Sequence, residues 1–147
     1  MPNALKLKAE SVEDLQVISS VLQDAILRIG EVRYDSVSRS LTLRLTRFRH
    51  ENGDGQERVL CGLRIDGVLS VASRGVERDN KDALAVLMSM FFADSEDAAL
   101  APSGKLHLIF AGNGEIVCDV ECIDLILADV ATPRKTESVP LHPGIDL

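Results

Sequence analysis

Two cysteines and a histidine fall within one short stretch, Lys105–Cys122, which reads KLHLIFAGNGEIVCDVEC. Cys118, Cys122 and His107 offer thiolate and imidazole donors, the ligand types that suit zinc. The Cys118-x3-Cys122 spacing is loose, and neither a fourth ligand nor an open coordination position is evident. Small buried thiols are therefore the expectation, with no metal and no cofactor. His107 with Asp119 is the pair best suited to acid–base work, a carboxylate orienting an imidazole. The same pairing also suits the wet face of a sheet, where opposite charges sit across neighbouring strands. No nucleophile can be placed beside them, so an enzyme acting on a small molecule is the least favoured of three readings. Asp66 and Asp124 each follow an isoleucine and could form a dyad, but Asp66-Gly67 reads more simply as a turn.

The sharpest binding candidates are Arg44, Arg47, Arg49 and Arg64. Strand alternation puts Arg44 on one face with Thr46 and Phe48, turns Arg47 and Arg49 the other way, and leaves Arg64 on the exposed face of the next strand. Guanidinium groups beside an aromatic ring suit phosphate or single-stranded RNA. The composition argues against nucleic acid. Aromatic residues make up 3% of the 147 residues, Trp is missing, and the net charge is −7. The charge is uneven: residues 28–78 carry 10 Lys+Arg against 7 Asp+Glu, and the remainder carries 6 against 16. Gly112-x-Gly114 is not a dinucleotide fingerprint, because no helix follows it.

These side chains are positioned by a chain of mostly strand-like elements. Around Gly112-Asn113-Gly114 the alternation predicts a β-hairpin. A two-residue loop would mix apolar and charged residues on both faces. A three-residue loop over Gly112–Gly114 pairs Phe110 with Ile116, Leu108 with Cys118 and Leu106 with Val120, making one face wholly apolar. It also sets His107 opposite Asp119 and Lys105 opposite Glu121, and asks Gly114 for a left-handed conformation. This second register is the expected one.

Upstream, Leu5–Ala9 alternates as a short edge strand, and Ser11 caps an amphipathic helix over about Val12–Asp24 with a stripe of Val12, Leu15, Ile18, Leu22 and Ala25. Strands are predicted at Ile26–Tyr34 with a bulge at Gly30, at Leu41–Phe48, at Val59–Ile65 and at Val68–Ser73. Leu84–Ala93 fits either a helix or a strand buried on both faces, and Ile123–Val130 reads as a short strand. Residues 1–131 are expected to form a single globular domain, and 132–147, with Pro133, Pro140 and Pro143, an irregular tail. No apolar run approaches the roughly 20 residues of a membrane span. Met1–Lys6 lacks the apolar segment of a signal peptide, and three cysteines do not make a secreted disulfide scaffold. A cytoplasmic location is the expectation.

Val59–Leu69 resembles Ile116–Leu127, each preceded by an alternating strand and a further apolar segment. Such a duplication would make Leu84–Ala93 a strand and build two antiparallel meanders burying their apolar faces together. The fold expected is α+β, mainly an antiparallel β sandwich or partly closed barrel of two similar meander units, with one N-terminal helix covering an opening or edge. The stretches LKLKAESVEDLQVISSVLQDAILRIGEV, LTLRLTRFRHE, GLRIDGVLSVASRGV and LIFAGNGEIVCDVECIDLILADV resemble the bacterial domain-of-unknown-function family 2948 over most of Leu5–Val130. The resemblance implies a small bacterial protein and carries no activity or catalytic residues with it. The expected function is a noncatalytic protein-binding or assembly module whose partner is another protein or a second copy. The alternative is an anion or RNA binder using the Arg-rich face.

Overall fold

The computed structural model describes residues 4–50, 56–130 and 134–135. Strand β1 (Lys6–Ala9) leads into helix α1 (Val12–Val21), whose first turn is held by the Ser11 side chain accepting from the Asp14 N–H. Glu13 and Asp14 add negative charge where the helix dipole is positive. Leu15, Ile18 and Leu22, spaced by three and four, turn one face inward. The helix stops at Val21, three residues before the predicted end, and Leu22 closes it by donating to the Ile18 carbonyl.

Apart from one turn of 3-10 helix at Ala98–Leu100, the remaining elements are strands: β2 (Ala25–Asp35), β3 (Ser40–His50), β4 (Gln56–Ile65), β5 (Val68–Arg74), β6 (Leu84–Asp94), β7 (Gly104–Phe110), β8 (Glu115–Val120), β9 (Leu125–Asp129) and β10 (Arg134–Lys135). All pairings are antiparallel, in the order β1-β9-β4-β3-β2-β6-β7-β8-β5, with β10 adding to β4 at Glu57 and Arg58. The fold is thus a mostly antiparallel sheet with one helix. Leu84–Asp94 is a strand, which settles the helix-or-strand ambiguity. Arg134–Lys135 pair with β4, so that part of the expected irregular tail is ordered backbone. The rest of 132–147 lies outside the described residues, as does the 51–55 loop.

The order has a particular logic. β2-β3-β4 and β6-β7-β8 are successive meanders, and each lends its next strand to the other. β5 pairs with β8, and β9 pairs with β4. The two connections cross where the Asp66 N–H donates to the Asp124 carbonyl and the Glu121 N–H to the Gly67 carbonyl, both at 2.9 Å. One buried cluster runs through both meanders, from Leu41, Leu43 and Leu45 to Leu106, Leu108 and Phe110.

The hairpin departs from the expected register by two residues. Leu106 faces Cys118, Leu108 faces Ile116 and Lys105 faces Asp119. The loop is Ala111–Asn113, closed by the Phe110 N–H on the Gly114 carbonyl at 2.8 Å. Gly112 and Asn113 take the positive φ values, 83° and 71°, and Gly114 does not. A two-residue slip keeps every side chain on its face, so the apolar partition is right for either register and cannot choose between them. The turn decides, because Gly-Asn offers two residues that tolerate left-handed backbone.

β2 and β6 touch only at their starts, Ala25–Arg28 against Leu84–Leu87, and then diverge. β2 leaves through a bulge between Leu27 and Val32, where the Gly30 N–H donates to the Lys81 carbonyl. A Cβ at Gly30 would meet that oxygen at 2.9 Å. On the β6 side α1 fills the opening. The Met90 N–H donates to Ser19 Oγ at 2.9 Å, and Asp24 N–H donates to the Leu87 carbonyl at 2.8 Å. Among the described residues no helix is long and apolar enough to cross a membrane.

Candidate functional site

The four arginines do not form one cluster. Arg47 continues the inward parity of Leu41, Leu43 and Leu45 and lies in the interior, its side chain 6% exposed. Its Nε and Nη2 donate to the two carboxylate oxygens of Asp129 at 3.0 and 2.9 Å. Asp129 is buried as well and also accepts from the Leu5 N–H at 2.8 Å. This is a bidentate, fully engaged pair at the end of the core, so Arg47 is not an anion site. Arg49 shares its parity and is held by Glu57 at 2.8 Å. The clue was in the sequence. A charge that continues an apolar stripe must find a buried partner, and Asp129 continues the Leu125–Leu127 stripe in the same way.

Arg44 and Arg64 do share an outer face, and strand order brings other cations to it. One row across the sheet reads Lys8, Ile126, Arg64, Thr42, Arg33, and the next reads Lys6, Ala128, Gly62, Arg44. Lys6, Lys8, Arg33, Arg44 and Arg64 are all exposed. Among the described residues, carboxylates reach the margins of this face: Glu10 beside Lys8 at 3.5 Å, Asp66 beside Arg64 at 2.8 Å, and Asp35, two residues along β2 from Arg33 and within electrostatic reach of Arg64. Lys6 and Lys8 could not be grouped with the arginines from sequence, because β1 reaches β4 only through β9, across a long chain separation, whereas Arg33 arrives through the β2-β3 pairing.

The outer face of β6-β7-β8-β5 is different. Phe91 is 47% exposed and stacks on His107, ring centroids 4.5 Å apart. Ile109 and Val117, half-buried, are the neighbours of His107 along β7 and across to β8. His107 Nδ1 lies 2.6 Å from Glu115 Oε2, and Arg74 Nη2 lies 2.7 Å from the other oxygen of that carboxylate. The hydrogen bonds from His107 and then Arg74 hold the Glu115 carboxyl below its ordinary range. An ionised carboxylate only accepts, so the proton of this contact sits on Nδ1. Asp119 is engaged elsewhere, by Lys105 at 2.6 Å and Ser70 at 2.7 Å, and these two bonds lower its pKa. The two-residue change of register thus sets Lys105 rather than His107 opposite Asp119, and places His107 opposite Val117, from where its ring reaches diagonally to Glu115, in place of the expected His107–Asp119 and Lys105–Glu121 pairs.

The cysteines separate too. Cys61 and Cys118 are buried, and burial pushes both thiols up to about 12. Cys122 lies beyond the end of β8, half-buried rather than in the core, with its pKa also raised by desolvation. Among the described residues no group of three or more His, Cys, Asp and Glu side chains gathers where it could hold a metal ion. Asp66 is a turn residue before Gly67 (φ 68°), and its carboxylate accepts from Arg64.

Fold and surfaces together define a small antiparallel-sheet protein with one helix, one cationic sheet face and one partly apolar sheet face. The chain matches the family described as protein of unknown function (DUF2948) over residues 5–142, and it belongs to that family. No curated protein and no solved structure matches it.

Proposed function

We propose that the protein is a noncatalytic assembly module that docks through the outer face of β6-β7-β8-β5, with a second copy of the chain as the partner the surface fits best. The carrying observation is Phe91, nearly half exposed on β6 and stacked on His107, with Ile109 next along β7 and Val117 across on β8 continuing the apolar surface. Aromatic anchors inside a polar rim are the surfaces that dominate protein–protein binding energy. The rim supports pairing with itself. Arg74–Glu115 and Lys105–Asp119 each offer both signs of charge, as a two-fold interface requires. Size-exclusion chromatography with light scattering tests this reading. The native chain is expected to dimerise with rising concentration, and Phe91→Glu to shift it to monomer. A strictly monomeric protein that also captures no partner from its native cytosol would sink the proposal.

A second reading concerns the opposite face. Five exposed cations on neighbouring positions of β1, β2, β3 and β4, in a protein of net charge −7, favour a polyanion there. Replacing Lys6, Lys8, Arg44 and Arg64 by Gln should abolish salt-sensitive retention on a phosphate-rich polymer such as single-stranded RNA. No binding by the native chain at low salt would remove this reading.

We also infer that the chain arose by duplication, with β2–β5 equivalent to β6–β9 and the fourth strands exchanged, closing two faces on one core as a partly closed barrel. The exchanged order supports this, as do equivalent registers: Leu45 opposite Cys61 in one meander, and Leu106 opposite Cys118 in the other.

A further inference from the structure

The divergence of β2 from β6 leaves two openings, one beside each strand. α1 seats Leu15, Ile18 and Leu22 in the first. The second, between the unpaired edge of β2 beyond Gly30 and the end strand β5, holds no helix. It is a cleft of about 580 Å³, within the size range of small-molecule sites. Val32, Val71 and Ile116 contribute to an apolar lining, and Tyr34 spans one end by donating from its hydroxyl to the Val68 carbonyl at 2.8 Å. Val32 and Val71 stay half-buried where the helix side is sealed.

The charged residues of the lining are Arg33, Arg78 and Lys81, with no carboxylate among them. None of the three makes an ion pair among the described residues, although Arg28 nearby is held by both Glu31 and Asp82. Glu77 and Asp79, which flank Arg78 in sequence, line an adjoining depression that shares Val76 and Arg78 with the cleft, but neither lines the cleft itself. Lys81 is fixed at the cleft by its carbonyl bond to Gly30. One sign of charge around an apolar hollow concentrates a ligand of the opposite sign.

The geometry points to a binding site for a small amphipathic anion, an apolar body in the β2–β5 cleft with a carboxylate or phosphate head at Arg33, Arg78 and Lys81. The site lies on a different surface from the proposed docking face and does not depend on it. The cleft takes the apolar body out of water, and the guanidinium and ammonium groups supply charge-assisted bonds to the head.

Isothermal titration calorimetry on the full chain tests the proposal, with octanoate, octyl phosphate, octanol and octylammonium as probes below their micelle thresholds. Saturable binding of one or both anions is expected, with octanol at least about tenfold weaker. The stronger of octanoate and octyl phosphate identifies the head group. Arg78→Ser with Lys81→Ser, both exposed and remote from the core, should weaken anion binding by at least about tenfold while leaving the circular dichroism spectrum unchanged. Val76→Trp should block the cleft with the cations intact. The proposal is overturned by no saturable anion binding at millimolar concentration, by equal binding of octanol, or by undiminished binding in the double variant. It is overturned as well if only an extended peptide binds, slowing amide exchange on β2 and β5, which would assign the cleft to an added strand.

Discussion

Arg47 shows how little a residue type says about its use. Listed by type it belongs with the surface arginines, but by parity it is an interior group tied to Asp129 by two hydrogen bonds. Removing one partner leaves the other charge buried and unpaired. Arg47→Met is therefore expected to lower the unfolding free energy by about 3–5 kcal/mol, read from urea denaturation. The double variant Arg47→Met, Asp129→Leu should recover most of that loss, since both charges are gone. The thiols carry a second expectation. With Cys61 and Cys118 at about 12, essentially neither is thiolate at pH 8. Ellman's reagent should then titrate no more than one thiol in the native protein, Cys122, and all three in urea. Rapid reaction of two or more native thiols would contradict the burial.

At the scale of elements, the hairpin is the instructive case. Alternation correctly sorted Leu106, Leu108, Phe110, Ile116 and Cys118 to the core, yet it left the pairing open by two residues. That small ambiguity changed the partner of His107 from Asp119 to Glu115. Gly112 sits at φ 83° with nothing within 4 Å of the place a Cβ would occupy, so Gly112→Val probes backbone conformation alone. A loss of about 1–2 kcal/mol is expected from the left-handed backbone, measured by thermal or urea unfolding. Asn113→Gly should be neutral or slightly stabilising by the same measure. Equal tolerance of valine at Gly112 would return the loop to the register first expected.

Across the whole molecule, the exchanged strands bind the two meanders into one unit. β5 finds its partner only in β8, and β9 finds β1 and β4, so neither half completes its own sheet or core. Unfolding should be a single cooperative transition, coincident by circular dichroism and by intrinsic fluorescence of Tyr34. Fragments 1–78 and 79–147 should each be unfolded alone. Two separated transitions would show that the halves are independent. The net charge of −7 likewise conceals a molecule with a basic face on one half and an apolar, charge-paired face on the other.

The sequence by itself determined most elements and the side each residue faces. Period-two alternation is a local property, and Ser11, Gly30 and Asp66-Gly67 mark their cap, bulge and turn within a few positions. Tertiary structure alone decided which strands are neighbours. β1 and β9 reach β4 across long separations, and only that contact sets Lys6 and Lys8 beside Arg64 and Arg44 and brings Asp129 to Arg47. It also decided that α1 fills one opening and leaves its counterpart as a cationic cleft. Faces follow from neighbouring residues, whereas surfaces and clefts follow from pairings that no short window of sequence contains.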